Sequence, residues 1–438
     1  MKAAAGMRLL VAVACSAALV VPGASAAAGQ PDGLPVDVDT VEVYLLTYEP
    51  GDELQTMWGH VALRVRDART GTDLVFDWGL VDAGNPFALI ARFLVGTPTY
   101  HLSVQAYSDM VRAYAAESRT FRQERLTLDR LESTRLVHRL AWNARPEHRP
   151  YPYDMWRRNC VTQIRDLLDE AVAGRIADRL WATRGNGTRR ELLRSALRPW
   201  PLVARGLDVV LNAEVDRPLS AWEEVFLPEK LREQLRAVPA SADAAAPAAS
   251  LLGESEPLIA APGRPRLRRS GGYLVASGLG ALAIAGLAHA TRLTPRRLNV
   301  RIVGAGVFGF GFLSALLGTL MVFAWITSPH TLLHHNANLW LFWPLDWVVA
   351  AFGVSLLVKG EPWPSTSRRG RVLHGLIRAH LLAAGAFVTL WALGTIHQAV
   401  TPVIVGFVSL AGLVYGSAWR ALSGVPGGPT DLSRGPAS

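Results

Sequence analysis

Three residues of this chain have the side chains that a nucleophilic catalytic site requires: Cys160, His60 and Asp77. Cys160 follows Asn159 and begins the amphipathic segment CVTQIRDLLDEAV. Because asparagine is a favoured N-cap residue, the pattern predicts that Cys160 occupies the first position of a helix. The positive end of the helix dipole stabilises a thiolate there, so Cys160 is a candidate nucleophile. The alternative is a small buried cysteine that packs in the core.

His60 and Asp77 supply the candidate base and its orienting acid. His60 begins the predicted strand HVALRVRD, whose alternate apolar residues form one face while His60 lies on the other, facing a groove if a helix packs there. Asp77 lies in the next predicted strand, DLVFDWGL. An acid beside an imidazole fixes its tautomer and stabilises the imidazolium, as in a catalytic triad. Each residue alone is also compatible with a structural role, but together they predict a triad in the chain order His60, Asp77, Cys160.

The N-terminal segment has the three parts of a secretory signal: basic residues, an apolar run and small residues. The sequence ASA suits cleavage after Ala26, so residues 1–26 are predicted to be a signal peptide. Cys15 offers the alternative of a lipoprotein signal, although Ala12 fits that motif poorly. After cleavage Cys160 is the single cysteine, so no intramolecular disulfide can form, although export would normally permit one.

The rest of the chain is predicted to divide into an exported domain and a membrane domain. Residues 38–237 combine alternating strand patterns with helical spacing, which indicates an α+β fold, and residues 238–263, rich in Ala, Pro and Ser, indicate a flexible linker. Residues 271–419 are predicted to form an all-α, five-helix transmembrane domain, and residues 420–438 a cytoplasmic tail. A span takes roughly 20 residues. The predicted spans lie near 271–290, 302–327, 338–358, 377–396 and 400–419.

The distribution of basic residues predicts the orientation of these spans. Arg and Lys are concentrated in the loops after the first and third spans, and none occurs in SPHTLLHHNAN or TIHQA after the second and fourth. Basic loops face the cytoplasm, so the domain at 38–237 is predicted to lie outside, in agreement with the signal peptide. The arginine cluster at 264–269 departs from this rule, and we interpret it as a contact for anionic headgroups.

The formal net charge of +9 is attributed mostly to membrane topology. Nucleic acid is not expected as a partner, because no basic stretch is interleaved with aromatic residues for base stacking. The glycine-rich stretch GAGVFGFG lies in a predicted span, where small residues serve helix packing, so it does not indicate a nucleotide site. No cofactor is expected. A metal site from His330, His334 and His335 is an alternative, but the spacing matches no zinc pattern.

The segments WGHVALRV, FDWGL and RRNCVTQIRDLLD resemble the Lnb N-terminal periplasmic domain family and, more distantly, the circularly permuted NlpC/P60 cysteine enzymes of the papain-like group. The resemblance covers roughly residues 40 to 235. It implies a permuted papain-like fold for the exported domain, with Cys160, His60 and Asp77 in the catalytic roles. The family often has asparagine at the position of Asp77. In the membrane half, SPHTLLHHNANLWLFWPLD is similar to a segment that follows the periplasmic domain in these proteins.

The resemblance also implies substrate-binding positions. His330, Asn336 and Asn338 match the membrane segment and are predicted at the outer surface, where they would orient a lipid headgroup or line the entrance to the site. The alternative is that they cap a span and satisfy loop backbone. Tyr153 matches the family's approach to its cysteine in YPYDMWRRNC. The aromatic residues near the three candidate catalytic residues would wall an acyl-chain groove or pack in an ordinary core; they are Trp58, Trp78, Tyr100, Tyr153 and Trp156, of which Trp58 and Tyr153 are predicted to bind substrate.

Resemblance to Lnb-type lipoprotein N-acyltransferases implies a multi-pass cysteine acyltransferase of the bacterial inner membrane, with its catalytic domain in the periplasm. Cys160 would take an acyl chain from a membrane phospholipid as a thioester and pass it to the N-terminal amine of a diacylglyceryl-modified lipoprotein, with His60 as base. The oxyanion needs donors, and the sequence offers the backbone N–H of Cys160 but no second one. Two alternatives stay open: a cysteine peptidase, amidase or lipid esterase acting at the cell envelope, and a membrane scaffold without activity.

Overall fold

The computed structural model describes residues 38–50, 57–81, 86–116, 120–241, 243, 249–259, 297–361, 367–399, 406, 411, 414 and 415. The chain divides into two compact units. The first contains Met1–Gly206 and Val215–Arg266, and the second contains Leu207–Glu214 and Leu267–Ser438. The predicted signal peptide at 1–26 and the predicted tail at 420–438 lie outside the described residues.

A seven-stranded sheet of antiparallel pairs organises the first unit. The described strands of this unit, in the sheet and in a separate ribbon, are β1 (Val41–Tyr48), β2 (His60–Asp67), β3 (Thr72–Leu80), β4 (Thr99–Ala106), β5 (Phe121–Leu126), β6 (Pro150–Pro152), β7 (Arg184–Thr188), β8 (Pro218–Ser220) and β9 (Leu252–Ile259). The sheet order is β6-β4-β3-β2-β1-β5-β9, and β7 pairs with β8 in a separate ribbon. The strands that carry His60 and Asp77 are therefore neighbours near the middle of the sheet.

Helices connect these strands and continue beyond them. They are α1 (Pro86–Val95), α2 (Tyr107–Ala116), α3 (Arg130–Asn143), α4 (Cys160–Ala171), α5 (Arg175–Ala182), α6 (Arg189–Ala196), α7 (Pro201–Val210), α8 (Ala221–Glu224), α9 (Pro228–Ala237), α10 (Arg297–Thr327), α11 (Asp346–Lys359) and α12 (Arg368–Ala392). The first unit is thus a mixed α and β domain, as its sequence pattern predicts, and the described part of the second unit is helical with short 3-10 turns.

Strand β2 is buried on both of its faces. Val61 and Leu63 are fully buried and form the predicted apolar face. On the other face, Ala62 packs in a buried cluster with Met110 of α2. A helix does pack on the His60 face, as the predicted groove requires. The space between this helix and Ala62 is filled by buried side chains, however, and does not form an open groove.

The predicted linker at 238–263 is wrong in part, and so is the predicted domain end at residue 237. Strand β9 lies within this segment and pairs with β5, extending the sheet at its edge. The sequence LGESEPLI lacks strand alternation, and its four central residues are exposed. Pairing with an existing strand edge overrides the weak local propensity, which a reading of composition cannot detect.

Two helices of the second unit, α10 and α12, are long and apolar enough to cross a membrane by length and composition. Helix α10 has 31 residues and contains the predicted span 302–327, and α12 has 25 residues and overlaps the predicted span 377–396. Large apolar side chains such as Phe323 and Leu382 are exposed along them, which suits a hydrocarbon environment.

The predicted span 338–358 is wrong, because its first third is not helical. Ala337–Trp340 forms a 3-10 turn, and α11 begins only at Asp346 and has 14 residues. Pro344 lies just before this helix start. Proline has no backbone N–H, and at this position the helix does not need one for its hydrogen bonds. The helix that follows is too short to span a hydrocarbon core alone.

The expected five-helix membrane domain is therefore corrected to two candidate spans in the part of the chain that the structure describes. The predicted span 271–290 lies outside the described residues. The predicted span 400–419 does too, except for the helical positions 406, 411, 414 and 415.

Glycines allow α10 and α11 to approach closely. A Cβ on Gly304 would meet the backbone nitrogen of Leu357, and a Cβ on Gly353 would meet the backbone of Phe308. Gly311 of α10 likewise faces the backbone of Ala350 in α11. Two glycines of GAGVFGFG thus serve helix packing, as predicted.

A buried polar cluster joins the three helices of the second unit. The Ser314 hydroxyl donates to Asp346, and Nδ1 of His380 lies 3.3 Å from Oδ1 of Asp346. Nε2 of His380 lies 2.8 Å from the backbone oxygen of Leu341. Polar side chains in an apolar environment are costly unless paired, so these contacts fix the mutual packing of α10, α11 and α12.

Candidate active site

The start of α4 is fixed by the side chain of Asn159. Its Oδ1 accepts a hydrogen bond from the Thr162 N–H at 2.8 Å, and the Thr162 hydroxyl oxygen accepts one from the Asn159 N–H at 2.9 Å. The Asn159 amide donates to the backbone oxygens of Met155 and Phe226 at 3.0 and 2.9 Å. Cys160 is therefore the first helical residue, as predicted, at the positive end of the helix dipole. Its exposed fraction is 5 %.

His60 is buried and held from two sides. Its Nε2 lies 2.6 Å from Oδ1 of Asp77, and its ring stacks on Tyr48, its cross-strand partner, with centroids 5.7 Å apart. Tyr48 itself stacks on Tyr114 and Phe121 at 4.0 and 4.8 Å. A ring that is bonded at one edge and packed on one face cannot turn freely, so His60 is preorganised.

Two glycines make room for this arrangement. Gly59 precedes His60 with φ at +74°, in the left-handed region that favours glycine. A Cβ on Gly79 would lie 2.9 Å from Cε1 of His60 and 3.6 Å from Oδ1 of Asp77. The glycines of WGH and DWGL therefore position the imidazole.

Opposing influences set the protonation of His60. Burial, the largest, lowers its pKa, because it disfavours the charged ring. The charges of Asp77 and Cys160 act in the opposite direction, and together with the hydrogen bonds from Asp77 and Cys160 they raise the pKa of His60 to about 10. The site therefore favours an imidazolium between two groups that can carry negative charge.

The second ring nitrogen of His60, Nδ1, is buried and makes no hydrogen bond to any described residue. Cys160 acts on the ring through its charge and through a side-chain hydrogen bond, both of which raise the pKa of His60. Catalytic hydrogen bonds are often long before substrate binds.

A narrow cleft lies at Cys160 within the first unit. Its cavity volume is about 20 Å³, which is room for roughly one water-sized group. Apolar and aromatic side chains predominate in its lining, among them Trp58, Trp78, Tyr153, Met155 and Phe226. The cleft has room for a reacting carbonyl group but not for an extended acyl chain, which would have to project out of it.

The structure brings two of the predicted substrate-binding residues, Trp58 and Tyr153, into the cleft that Cys160 lines. Trp78 lines it as well. Tyr100 packs behind Tyr153, with ring centroids 4.3 Å apart. Trp156 packs edge-on against Phe226 and does not line the cleft. The aromatic residues therefore divide between cleft wall and core.

The other predicted substrate-binding residues, His330, Asn336 and Asn338, belong to the second unit and are buried. The side-chain amides of Asn336 and Asn338 both donate to the backbone oxygen of Val209 at 2.8 Å. Asn338 also donates to the oxygen of Asp208 at 3.2 Å. These bonds support the alternative that the two asparagines satisfy backbone within their own unit, and the headgroup role of all three residues stays a prediction.

The histidines of the proposed metal alternative have other contacts. Nε2 of His334 lies 2.8 Å from the backbone oxygen of Ser328, and His335 packs against the ring of Trp325. Within the described ranges no three His, Cys, Asp or Glu side chains are grouped as metal ligands.

Three site features have only a weak signal in the sequence. Gly79 contacts the imidazole across strands, although DWGL alone indicates a turn. The Asn159 amide bonds to Phe226, 67 residues away, beyond the reach of a local capping pattern. Tyr151 is buried and lies in a short strand two residues before Tyr153. Its two neighbouring residues are prolines, which are rare in strands, so the sequence does not predict this strand.

A family model described as the Lnb N-terminal periplasmic domain matches residues 35–195. This match covers Cys160, His60 and Asp77 and well under half of the chain. Comparison with curated proteins gave no match, and comparison with solved structures gave none either.

Proposed function

We propose, from the match of residues 35–195 to the Lnb N-terminal periplasmic domain model, that the protein is a membrane-bound cysteine acyltransferase of the bacterial inner membrane. The proposed donor is a membrane phospholipid, and the proposed acceptor is the N-terminal amine of a diacylglyceryl-modified lipoprotein. The observation that carries the proposal is the His60–Asp77 hydrogen bond beside a thiol at a helix N-terminus. These three residues supply a nucleophile, a base and an orienting acid within one domain.

The first half-reaction forms a thioester. The Cys160 thiolate attacks the ester carbonyl carbon, forming the S–C bond and moving the carbonyl electron pair onto oxygen. When that pair returns, the C–O bond to the glycerol breaks, and the His60 imidazolium gives its proton to the leaving oxygen, releasing a lysophospholipid. The Asp77 carboxylate supports the imidazolium that this step requires.

The second half-reaction transfers the acyl chain to nitrogen. The lipoprotein amine attacks the thioester carbonyl, and neutral His60 takes a proton from the attacking nitrogen. The C–S bond then breaks, the amide forms, and the Cys160 thiolate and His60 imidazolium are restored. His60 thus acts as an acid in the first half-reaction and as a base in the second.

Transfer is favoured over hydrolysis by the cleft and the helices. The cleft is narrow and lined mainly by apolar side chains, which disfavours water as the acceptor. Helices α10 and α12 are suited to hold the protein in the membrane, where both proposed substrates are anchored. A cysteine peptidase, amidase or lipid esterase would use the same three residues with water as acceptor.

The test is complementation in cells that lack their usual lipoprotein N-acyltransferase. We expect lipoprotein N-termini to gain a third acyl chain, detected by mass spectrometry, when the wild-type protein is expressed. Cys160→Ser and His60→Ala should leave lipoproteins diacylated. His138→Ala, which changes an exposed histidine of α3, is the matched control and should complement.

Each outcome has a defined meaning. Diacylated lipoproteins in cells that contain folded wild-type protein would contradict the proposed acceptor. Release of free fatty acid from phospholipid under those conditions would favour the esterase alternative. Full complementation by both variants would support the scaffold alternative and remove Cys160 and His60 from the mechanism.

A further inference from the structure

Tyr151 carries a buried hydroxyl group that no described residue bonds. The residue is 8 % exposed, and its phenolic oxygen is buried with no hydrogen-bond partner within the described ranges. Buried hydroxyl groups are normally paired, because burial removes their bonds to water. An unpaired donor at this position therefore indicates a partner that arrives with substrate.

The sheet register places Tyr151 on the same face of the sheet as a residue that lines the cleft. Tyr151 lies opposite Tyr100 in the β6–β4 pair, and Leu102 lies opposite Trp78 in the β4–β3 pair. Residues that are opposite each other, or two apart on one strand, share a face of the sheet. Tyr151 therefore lies on the face of Trp78, whose side chain lines the cleft at Cys160.

Packing and burial prepare the phenol as a donor. Tyr100 contacts both Tyr151 and Tyr153, with ring centroids 6.2 and 4.3 Å away, so the ring position is set by its neighbours. Burial, followed by the charge of Cys160, raises the pKa of Tyr151 well above its ordinary value. The hydroxyl therefore keeps its proton over the working pH range. Tyr153, the other ring that packs on Tyr100, lines the cleft together with Cys160.

We propose that the Tyr151 hydroxyl is the second oxyanion donor of the site, acting with the backbone N–H of Cys160. When the Cys160 sulfur bonds to the carbonyl carbon, the carbonyl electron pair moves to oxygen, and the Tyr151 O–H donates a hydrogen bond to that oxygen. The phenolic proton stays on Tyr151, and the bond is released when the electron pair returns to expel the leaving group. This inference rests on the proposed acyl-transfer function and supplies a donor that the sequence does not identify.

Two reactions of Cys160 separate this role from a structural one. Acylation by p-nitrophenyl butyrate passes through an oxyanion, whereas alkylation by iodoacetamide does not. Both rates are measured on the full-length protein in detergent, by nitrophenolate release and by intact mass. Because alkylation passes through no oxyanion, a fall in acylation with unchanged alkylation isolates the oxyanion step.

Tyr151→Phe keeps the ring and removes only the donor. We expect its acylation rate to fall roughly 10²- to 10³-fold, the effect of losing one oxyanion donor, with the alkylation rate unchanged. Tyr44→Phe is the matched control, since its hydroxyl bonds Glu42 on the same sheet at 3.0 Å, and both rates should match wild type.

The contrary results are distinct. Acylation of Tyr151→Phe at the wild-type rate would overturn the inference alone. An equal fall in acylation and alkylation would also overturn it, because Tyr151 would then act on the thiol or the fold. Wild-type protein that is alkylated but never acylated would overturn the proposed function, and the inference with it.

Discussion

Nε2 of His60 lies 2.6 Å from Oδ1 of Asp77, and their side chains are only 2 % and 6 % exposed. Burial of a charged pair is costly unless its members satisfy each other. The raised pKa of His60 makes the favoured state an imidazolium beside a carboxylate. The His60–Asp77 pair is therefore expected to affect both the reactivity of Cys160 and the stability of the domain.

Asp77→Asn should shift the pH dependence of acylation to lower pH. The wild-type rate should fall as pH rises through about 10, because the imidazolium that protonates the leaving group is then lost. Without the carboxylate charge, burial of His60 lowers its pKa, so the loss begins earlier. At neutral pH the rate should fall by up to roughly 10²-fold, the lower range for a general acid. Stopped-flow acylation by an ester with an alkoxide leaving group, which needs this proton, measures the effect across pH, and superimposable profiles would contradict it.

His60→Gln should flatten the pH dependence of stability. His60 has a pKa of about 10 in the folded protein against an ordinary 6.5, so folding favours its protonated form. This contribution is fully present below pH 6.5 and is lost as pH rises through 10. The unfolding temperature of wild type should therefore fall more steeply over this interval than that of the variant. Equal slopes in calorimetry would show that His60 does not carry the coupling.

Gly79→Ala should impair catalysis by displacing the imidazole. The added Cβ would lie 2.9 Å from Cε1 of His60, so the ring must move away from Asp77. We expect slower acylation of Cys160 and a lower His60 pKa, measured by NMR titration. Gly96→Ala is the control, because its Cβ would meet only the Arg92 backbone oxygen at 3.5 Å. Normal activity in Gly79→Ala would mean that the ring is not held as described.

Asn159→Ala should destabilise the domain and slow Cys160 together. Loss of an N-cap costs about 1 kcal/mol, and the bonds to Met155 and Phe226 are lost as well. Thr188→Ala removes an equivalent capping box from α6 and is the matched control. Both variants should unfold at lower temperature, but only Asn159→Ala should reduce the alkylation rate of Cys160. Equal alkylation in the two would separate the cap from thiol reactivity.

Local patterns in the sequence predict the elements that carry the chemistry. The Asn-Cys helix start and the strand that begins at His60 both depend on neighbours within a few residues, and both are confirmed. Contacts between distant segments are not visible in this way. Gly79 against His60 and β9 against β5 depend on register across strands.

The membrane half shows the same limit. Hydropathy predicts the spans in α10 and α12 but extends a third span through the turn at Ala337–Trp340. Average hydropathy measures only how apolar a segment is, so it cannot show where the backbone hydrogen bonds of a helix begin or end. The asparagine motif likewise resembles a ligand site, whereas its described partners are backbone oxygens near Val209.

The most direct test of the central claim is the mass of the acyl-enzyme. Full-length protein in detergent is incubated with a phospholipid and no acceptor, and its intact mass is measured before and after hydroxylamine, which cleaves thioesters. The account predicts one hydroxylamine-labile acyl group per chain, located on Cys160 and absent from Cys160→Ala. Wild-type protein that iodoacetamide alkylates at Cys160, but that never gains an acyl group from phospholipid, would contradict it.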